Sequence, residues 1–440
     1  MEISQHFNLP RLMRFTLPTV IMMLFTSIYS MVDGIFVSRF VGSDALSAIN
    51  IVYPLIFMVT GVGIMFSTGG GAIVGRQLGE GKVEEARQNL TFICAATIIF
   101  GIVLSGICLL FLEPLVIFLG ASERLLPYCI QYAQIMMLFA TASMIQILFQ
   151  MFFVTAGKPK TGMILTIGSG IANIFFDYLF IVVFKMGIVG AAFGTVASYL
   201  IGAVYSLWYF SRKRSSLFFV RPRWRPHVLV ESMSNGASEM VSNIAASITT
   251  FLFNINVMKL AGEEGVSALT IVLYSQFLFT AVFIGFSNGA APVVSYNYGS
   301  GNHKQLRHLL KLCLGIIGVF SLIMVLCSQF FAESLIAVFT KRGTDIFEMA
   351  LHGFRIFSWN FLIAGLNIFA SSFFTALSNG KISALISFLR TFALQAPAIL
   401  LLPLIWKMDG IWMAIPIAEL ITIFLACFEI WHYRNQYHYL

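Results

Sequence analysis

The sequence predicts an all-α polytopic membrane protein: twelve transmembrane helices in two six-helix bundles related by a parallel pseudo-two-fold along the membrane normal. Three observations lead there: an apolar composition, a series of apolar runs long enough to cross a bilayer, and a repeat at one fixed offset. Of 440 residues, 58% are hydrophobic and 10% charged, whereas a soluble domain averages about 25% charged. Too few polar groups exist to face water over a whole surface, so lipid is the main solvent.

A membrane helix needs about 20 mostly apolar residues. Spans are expected near 15–38, 46–75, 91–112, 127–155, 161–184, 187–210, 237–258, 267–296, 312–332, 347–376, 382–406 and 410–432. Residues 45–75 and 265–302 contain no Asp, Glu, Lys or Arg. The start, MEISQHFNLPRLMRF, lacks a small-residue cleavage site, so the first helix is expected to be kept as an anchor. With the N-terminus in the cytoplasm, 18 Lys and Arg fall inside and 7 outside, and Arg355 and Arg390 lie within spans. Basic residues are retained on the cytoplasmic side, so a multi-pass inner- or plasma-membrane protein with both termini cytoplasmic is expected. The strongest basic segment is SRKRSSLFFVRPRWRPH (211–227). The expected domains are a lobe at 1–210, a basic cytoplasmic linker at 211–236 and a lobe at 237–440.

The repeat sits at an offset of 220 residues. Residues 42–90 and 262–310 share 17 identities in 49 ungapped positions, among them Gly69/Gly289, Gly79/Gly299, Gly81/Gly301 and Arg87/Arg307. Glu113/Glu333 carries the register onward. Six spans per copy is an even number, so both copies face the same way and meet around a central cavity suited to alternating access.

Ionisable groups within apolar spans are costly and usually functional. Asp33 lies 19 residues past Arg14, and Asp177 lies 17 residues past Lys160. Both carboxylates should therefore sit at similar depth, in the outer part of the first bundle. Asn173 shares a helix face with Asp177, and Thr195 reaches the same depth on the returning sixth span. Two carboxylates, an amide oxygen and a hydroxyl are hard oxygen donors suited to H⁺ or Na⁺; carboxylates that share a site of low dielectric hold a proton more readily than in water. The bland alternative is that both Asp residues merely end their helices. At offset 220 their counterparts are Phe253 and Pro397, so cation chemistry is expected in the first bundle alone. In the second, Arg355, Arg390 and Glu419 are candidates for a structural ion pair or a gate. Gln146, Gln150, Asn360 and Asn367 are candidates for lining the cavity or joining helices. Glu239, near the inner end of span seven, reads as a cap or loop residue. Abundant Met and Phe suit adaptable contacts with apolar cations.

The positive residues, a net +8, are scattered and form no nucleic-acid face. The six cysteines show no metal-ligand or disulfide spacing. GRQLGEGKV (75–83) fails as a phosphate-binding loop, since Arg76 stands where its first glycine belongs and Val83 replaces the Ser or Thr. No enzyme motif, cofactor or resident metal is expected, apart from Na⁺ at the cation residues.

Five segments together resemble the multidrug and toxic compound extrusion (MATE) family over the whole chain. They are PTVIMMLFTSIYSMVDGIFVSRFVG from Pro18, GRQLGEGKVEEA, YNYGSGNHKQL, AGKPK, and NIFFD from Asn173 to Asp177. The resemblance implies a V-shaped pair of lobes that expels amphipathic, often cationic, drugs in exchange for H⁺ or Na⁺. It matches Asp33, Asn173, Asp177 and Thr195 to a first-lobe cation site and Pro18 to a helix bend. A second-lobe acid in span ten has no counterpart beyond Glu348. The chain is expected to act as a monomer; a flippase for a lipid-linked precursor is the competing reading, and it would need a strongly cationic cleft.

Overall fold

The computed structural model of the chain describes residues 3–439, save the side chains of Ile35, Ser38 and Ser43. Helices dominate. α1 (Leu9–Phe36) starts where Asn8 accepts a hydrogen bond from the Arg11 amide at 3.1 Å, and it runs through Pro18. A π-helical turn (Val37–Val41) follows it. Next come α2 (Ser43–Gly79), α3 (Val83–Leu110) and the short α4 (Leu112–Phe118). α5 (Leu126–Leu138) and α6 (Ala140–Thr155) form one span bent by 54°. α7 (Pro159–Asp177) passes into a second π-helical turn (Tyr178–Val183), and α8 (Gly187–Phe210) returns.

The second half mirrors this order. α9 (Pro226–Gly299) is 74 residues long, far more than one crossing requires, and it breaks at Gly262, where φ is +62°. A position with φ in that region favours glycine. α10 (His303–Phe330) and α11 (Ala332–Phe339) follow. α12 (Asp345–Phe357) and α13 (Phe361–Ala376) flank a short 3₁₀ turn. α14 (Gly380–Phe388) enters a third π-helical turn (Leu389–Ala393), and α15 (Gln395–His432) breaks at Lys407. α16 (Arg434–Tyr437) ends the fold. With α9 and α15 each counted as two spans and the bent pair as one, twelve spans cross. Residues 226–236, expected in the linker, belong instead to α9.

The repeat is visible in the helices themselves. α3 and α10 are both 28 residues long, and their bounds differ by 220 at each end. The family of contacts between the halves obeys the same offset. A Cβ on Gly79 would lie 2.0 Å from the Tyr296 carbonyl oxygen; one on Gly299 would lie 2.0 Å from that of Arg76. Since 76 and 296 are equivalent positions, each half makes the same contact on the other. That reciprocity is the mark of a two-fold. Higher up, Gly69 lies against Ser232 and Gly236, and Gly289 against Thr16 and Thr19. Only glycine permits backbones so close, which is why these pairs stand out among the identities. α1, α2 and both halves of α9 therefore form the seam between the bundles.

That seam closes one end of the molecule. Arg76 pairs with Glu231 across it at 2.9 Å, and Gln305 donates to the Phe7 carbonyl oxygen at 2.9 Å. Arg225 pairs with Glu85. Tyr439 stacks edge-on against Phe373. Both termini and the basic segment thus share this end, called here the terminal face. The linker is pinned there by Leu217, fully buried, and by the Arg87 guanidinium, which donates to the Ser216 carbonyl oxygen and lies over Phe218. Asp44–Arg124 and His352–Asp409 pairs mark the opposite, far face.

Candidate functional site

Asp33 and Asp177 meet. Asp33 lies one turn before the π-helical turn of α1, and Asp177 is the last residue of α7 before its own. π turns rotate side chains out of regular helical register and recur at functional sites. The two carboxyls come within hydrogen-bond reach of each other, so a proton on one can bridge to the other. Asp177 and Asn173 are fully buried. Among the described residues, no N–H or hydroxyl donates to Oδ1 of Asp33, to either oxygen of Asp177 or to Oδ1 of Asn173, and Asn173 Nδ2 meets no acceptor. Desolvating one carboxylate costs several kcal/mol, more than the ~1 kcal/mol of an ordinary hydrogen bond. No ion pair joins either acid to a Lys, Arg or His among the described residues.

The pocket for Asp177 is carved by a glycine. A Cβ on Gly194 of α8 would meet Asp177 Oδ1 at 1.9 Å. Thr195, the next residue, is half-buried, and its hydroxyl donates to the Ala191 carbonyl oxygen at 3.2 Å. Its lone pairs remain available, but no contact joins it to either acid. A set of tyrosines surrounds the pair: Tyr29, Tyr53, Tyr132, Tyr199 and, from the second half, Tyr274 lie within electrostatic reach of Asp33. The sequence reading missed Gly194 and these tyrosines. Gly194 could have been found, as it lies one residue before Thr195 on a face already singled out; the tyrosines come from five different spans and carry no local signal.

The other candidates sort differently. Gln146 packs against Gly202, where a Cβ would come 2.7 Å from its side chain, and Gln150 is half-buried. Asn360 donates to the Phe357 carbonyl oxygen at 2.7 Å and steadies the break between α12 and α13. Asn367 donates to Glu419 Oε2 at 2.7 Å and to its backbone oxygen at 2.9 Å, joining α13 to α15. A small cavity does lie between the halves, bounded by Thr68, Gly71 and Met151 on one side and Glu239, Asn288 and Ser372 on the other. None of the four amides lines it. Glu239, read from sequence as a cap or loop residue, takes that place instead, because α9 begins earlier than expected and carries it into the seam.

The expected Arg390–Glu419 pair is present. Arg390 Nε donates to Glu419 Oε1 at 2.7 Å, with the Glu419 side chain 2% exposed. Arg355 belongs elsewhere: it pairs with Glu333 at 3.2 Å, both half-exposed. No cluster of three or more His, Cys, Asp and Glu suited to a metal occurs among the described residues, and the described cysteines are free.

Two duplicated six-helix bundles joined along one seam, with an acid pair buried in one of them, have the architecture of a membrane transporter. The MatE family model matches residues 18–179 and again 240–401, one match to each half, and the chain belongs to that family of MATE transporters. It is 24% identical over 427 residues to the multidrug export protein MepA of Staphylococcus haemolyticus, covering 97% of this chain and 94% of that one. It is 22% identical, with the same coverage, to MepA of Staphylococcus aureus strain MSSA476. Among solved structures, it superposes on a MATE transporter in complex with MaL6 with a TM-score of 0.92 at 19% identity, covering 98% of this chain and 97% of the other. An outward-facing multidrug-resistance MATE transporter of the MOP superfamily also gives 0.92 at 19% identity, with 99% and 98% covered.

Proposed function

We propose that this protein is a multidrug exporter that moves amphipathic, cationic drugs outward by alternating access, driven by H⁺ or Na⁺ exchanged at Asp33 and Asp177. The observation that carries this reading is the buried acid pair with no protein cation beside it. Asn173 supplies a further oxygen, Gly194 the room, and Thr195 a hydroxyl at the rim. The cargo is inferred from the export proteins that the chain resembles along its length. The competing cargo, a lipid-linked pyrophosphate, would need free cations in the cleft, and both Arg355 and Arg390 are paired with acids.

The terminal face is assigned to the cytoplasm, because it holds the basic linker. With the seam closed there, the exit for drug would lie on the far face, between the lobes at 1–210 and 237–440. A cation entering from outside neutralises the acids and lets α1 repack around Pro18, where the Arg14 carbonyl lacks its usual helical donor. The cation shifts the equilibrium only as far as it prefers one conformation over the other. The test is ethidium efflux from a pump-deficient host. Asp33→Asn and Asp177→Asn should each abolish efflux, and unimpaired efflux in both variants would remove the coupling site.

A further inference from the structure

The second lobe also buries acids at depth, and it treats them in another way. Glu419 sits near the middle of span twelve, ten residues from Asp409 and ten from Glu429. Both its carboxylate oxygens are engaged, one by Arg390 Nε and the other by Asn367 Nδ2, each at 2.7 Å. Arg390 stands in the π-helical turn Leu389–Ala393. Its guanidinium also reaches Glu239, on α9 beside the cavity between the lobes, electrostatically.

The repeat shows where this cluster lies. From α6 and α13 onward the halves run at an offset of 221, since Ala140–Thr155 and Phe361–Ala376 differ by 221 at each end and α7 and α14 begin at Pro159 and Gly380. Arg390 is therefore equivalent to Ser169, which is buried on α7 one turn before Asn173 and on the same face. The cluster therefore occupies the second lobe's counterpart of the region around the acid pair. There the protein brings its own cation. Arginine suits that place, because it stays charged under all physiological conditions and cannot leave.

We propose that Arg390 is a tethered counter-cation filling the second lobe's equivalent of the first-lobe acid site, so that Glu419 exchanges no ion and coupling is confined to the first lobe. Arg390 is thus a positioning residue that sets how many cations move per drug. The charged groups around Glu419 are few. Arg390 faces it from the π turn, and Glu239 of α9 reaches it only through Arg390. On α12, Arg355 pairs with Glu333 and His352 with Asp409, at the far face. Lys381 on α14 lies nine residues from Arg390, about 14 Å along a helix.

The inference rests on the coupling role of Asp33 and Asp177, and the test keeps the two apart. Ethidium affinity of the purified protein is measured across neutral pH, and the slope of log Kd against pH counts the protons displaced by drug. Loss of the slope in Asp33→Asn/Asp177→Asn reports on the first lobe alone. In that background, Arg390→Gln strips Glu419 of its partner, and a new dependence of up to about tenfold per pH unit is expected, one proton's worth. Arg390→Lys should restore the flat profile. A folded, drug-binding Arg390→Gln protein with a flat profile would overturn the proposal. The paired variant Arg390→Met/Glu419→Gln, with both charges gone and volume kept, tests it in the native first-lobe background without relying on an unpaired charge. Its slope should equal that of the parent protein; a slope reduced by one proton would mean that Glu419 does exchange and would equally overturn the proposal.

Discussion

In the first lobe, Asp33 and Asp177 face each other with Asn173 beside them, and none of the described residues pairs a Lys, Arg or His with them. In the second, Glu419 is held by an arginine and an amide, and no oxygen of its carboxylate is left over. The two lobes share ancestry, helix order and even the contacts by which they touch. They differ in whether a buried carboxylate is given a permanent partner. Under the proposed function, only the first arrangement would let an ion come and go, and an exchange site would be recognised less by its acids than by the partners withheld from them.

Asp177→Asn should give the largest effect on this contrast. It removes the fully buried member of the pair, and drug resistance should fall at least about tenfold, the equivalent of roughly 1.4 kcal/mol; resistance near that of the parent would erase the difference between the lobes. Gly194→Ala comes next. Its methyl group overlaps the space of Asp177 Oδ1, so efflux should drop several-fold while drug still binds, as a fluorescence titration can read. Overpacking of this kind costs about 1–3 kcal/mol. The shared seam should respond evenly: Gly79→Ala and Gly299→Ala press on equivalent carbonyl oxygens, so their losses in thermal stability should match within about 1 kcal/mol, inside that same overpacking range. A large inequality would show that the two-fold is broken at the terminal face. Smallest of all is Arg355→Gln. The Arg355–Glu333 pair is half-exposed, surface pairs contribute about 0–1 kcal/mol, and both melting temperature and efflux should barely move.

Much of this architecture was legible because lipid imposes length and charge rules that the chain must obey locally. Twelve spans followed from the run lengths, and the offset of 220 holds through α3 and α10; it becomes 221 at α6 and α13, so Pro397 does not stand opposite Asp177, although residues 395–400 contain no acid either. Asp33 and Asp177 lie at matching depth because helix rise is nearly constant. Rotation about each helix is not fixed by depth. Which face of α8 met Asp177 depended on Gly194, and Thr195, one residue on, lies about 100° around the helix. Glu239 was misread because Pro226 starts a helix inside a segment whose charges looked like linker; proline is well suited to a first turn. Asn360 bonds locally, to the Phe357 carbonyl three residues earlier, whereas the partner of Asn367, Glu419, is set by packing between helices. Arg355 was placed within a span, although it ends at the far face with Glu333.

The central claim is that the first-lobe acids convert an ion gradient into drug movement, and are not simply needed for folding or drug binding. Proteoliposomes separate these roles. Asp33→Asn/Asp177→Asn protein should equilibrate ethidium down its own gradient yet accumulate none when an outward-directed H⁺ or Na⁺ gradient is applied, while the parent accumulates it in exchange for the departing cation. Accumulation by the double variant equal to that of the parent would contradict the account.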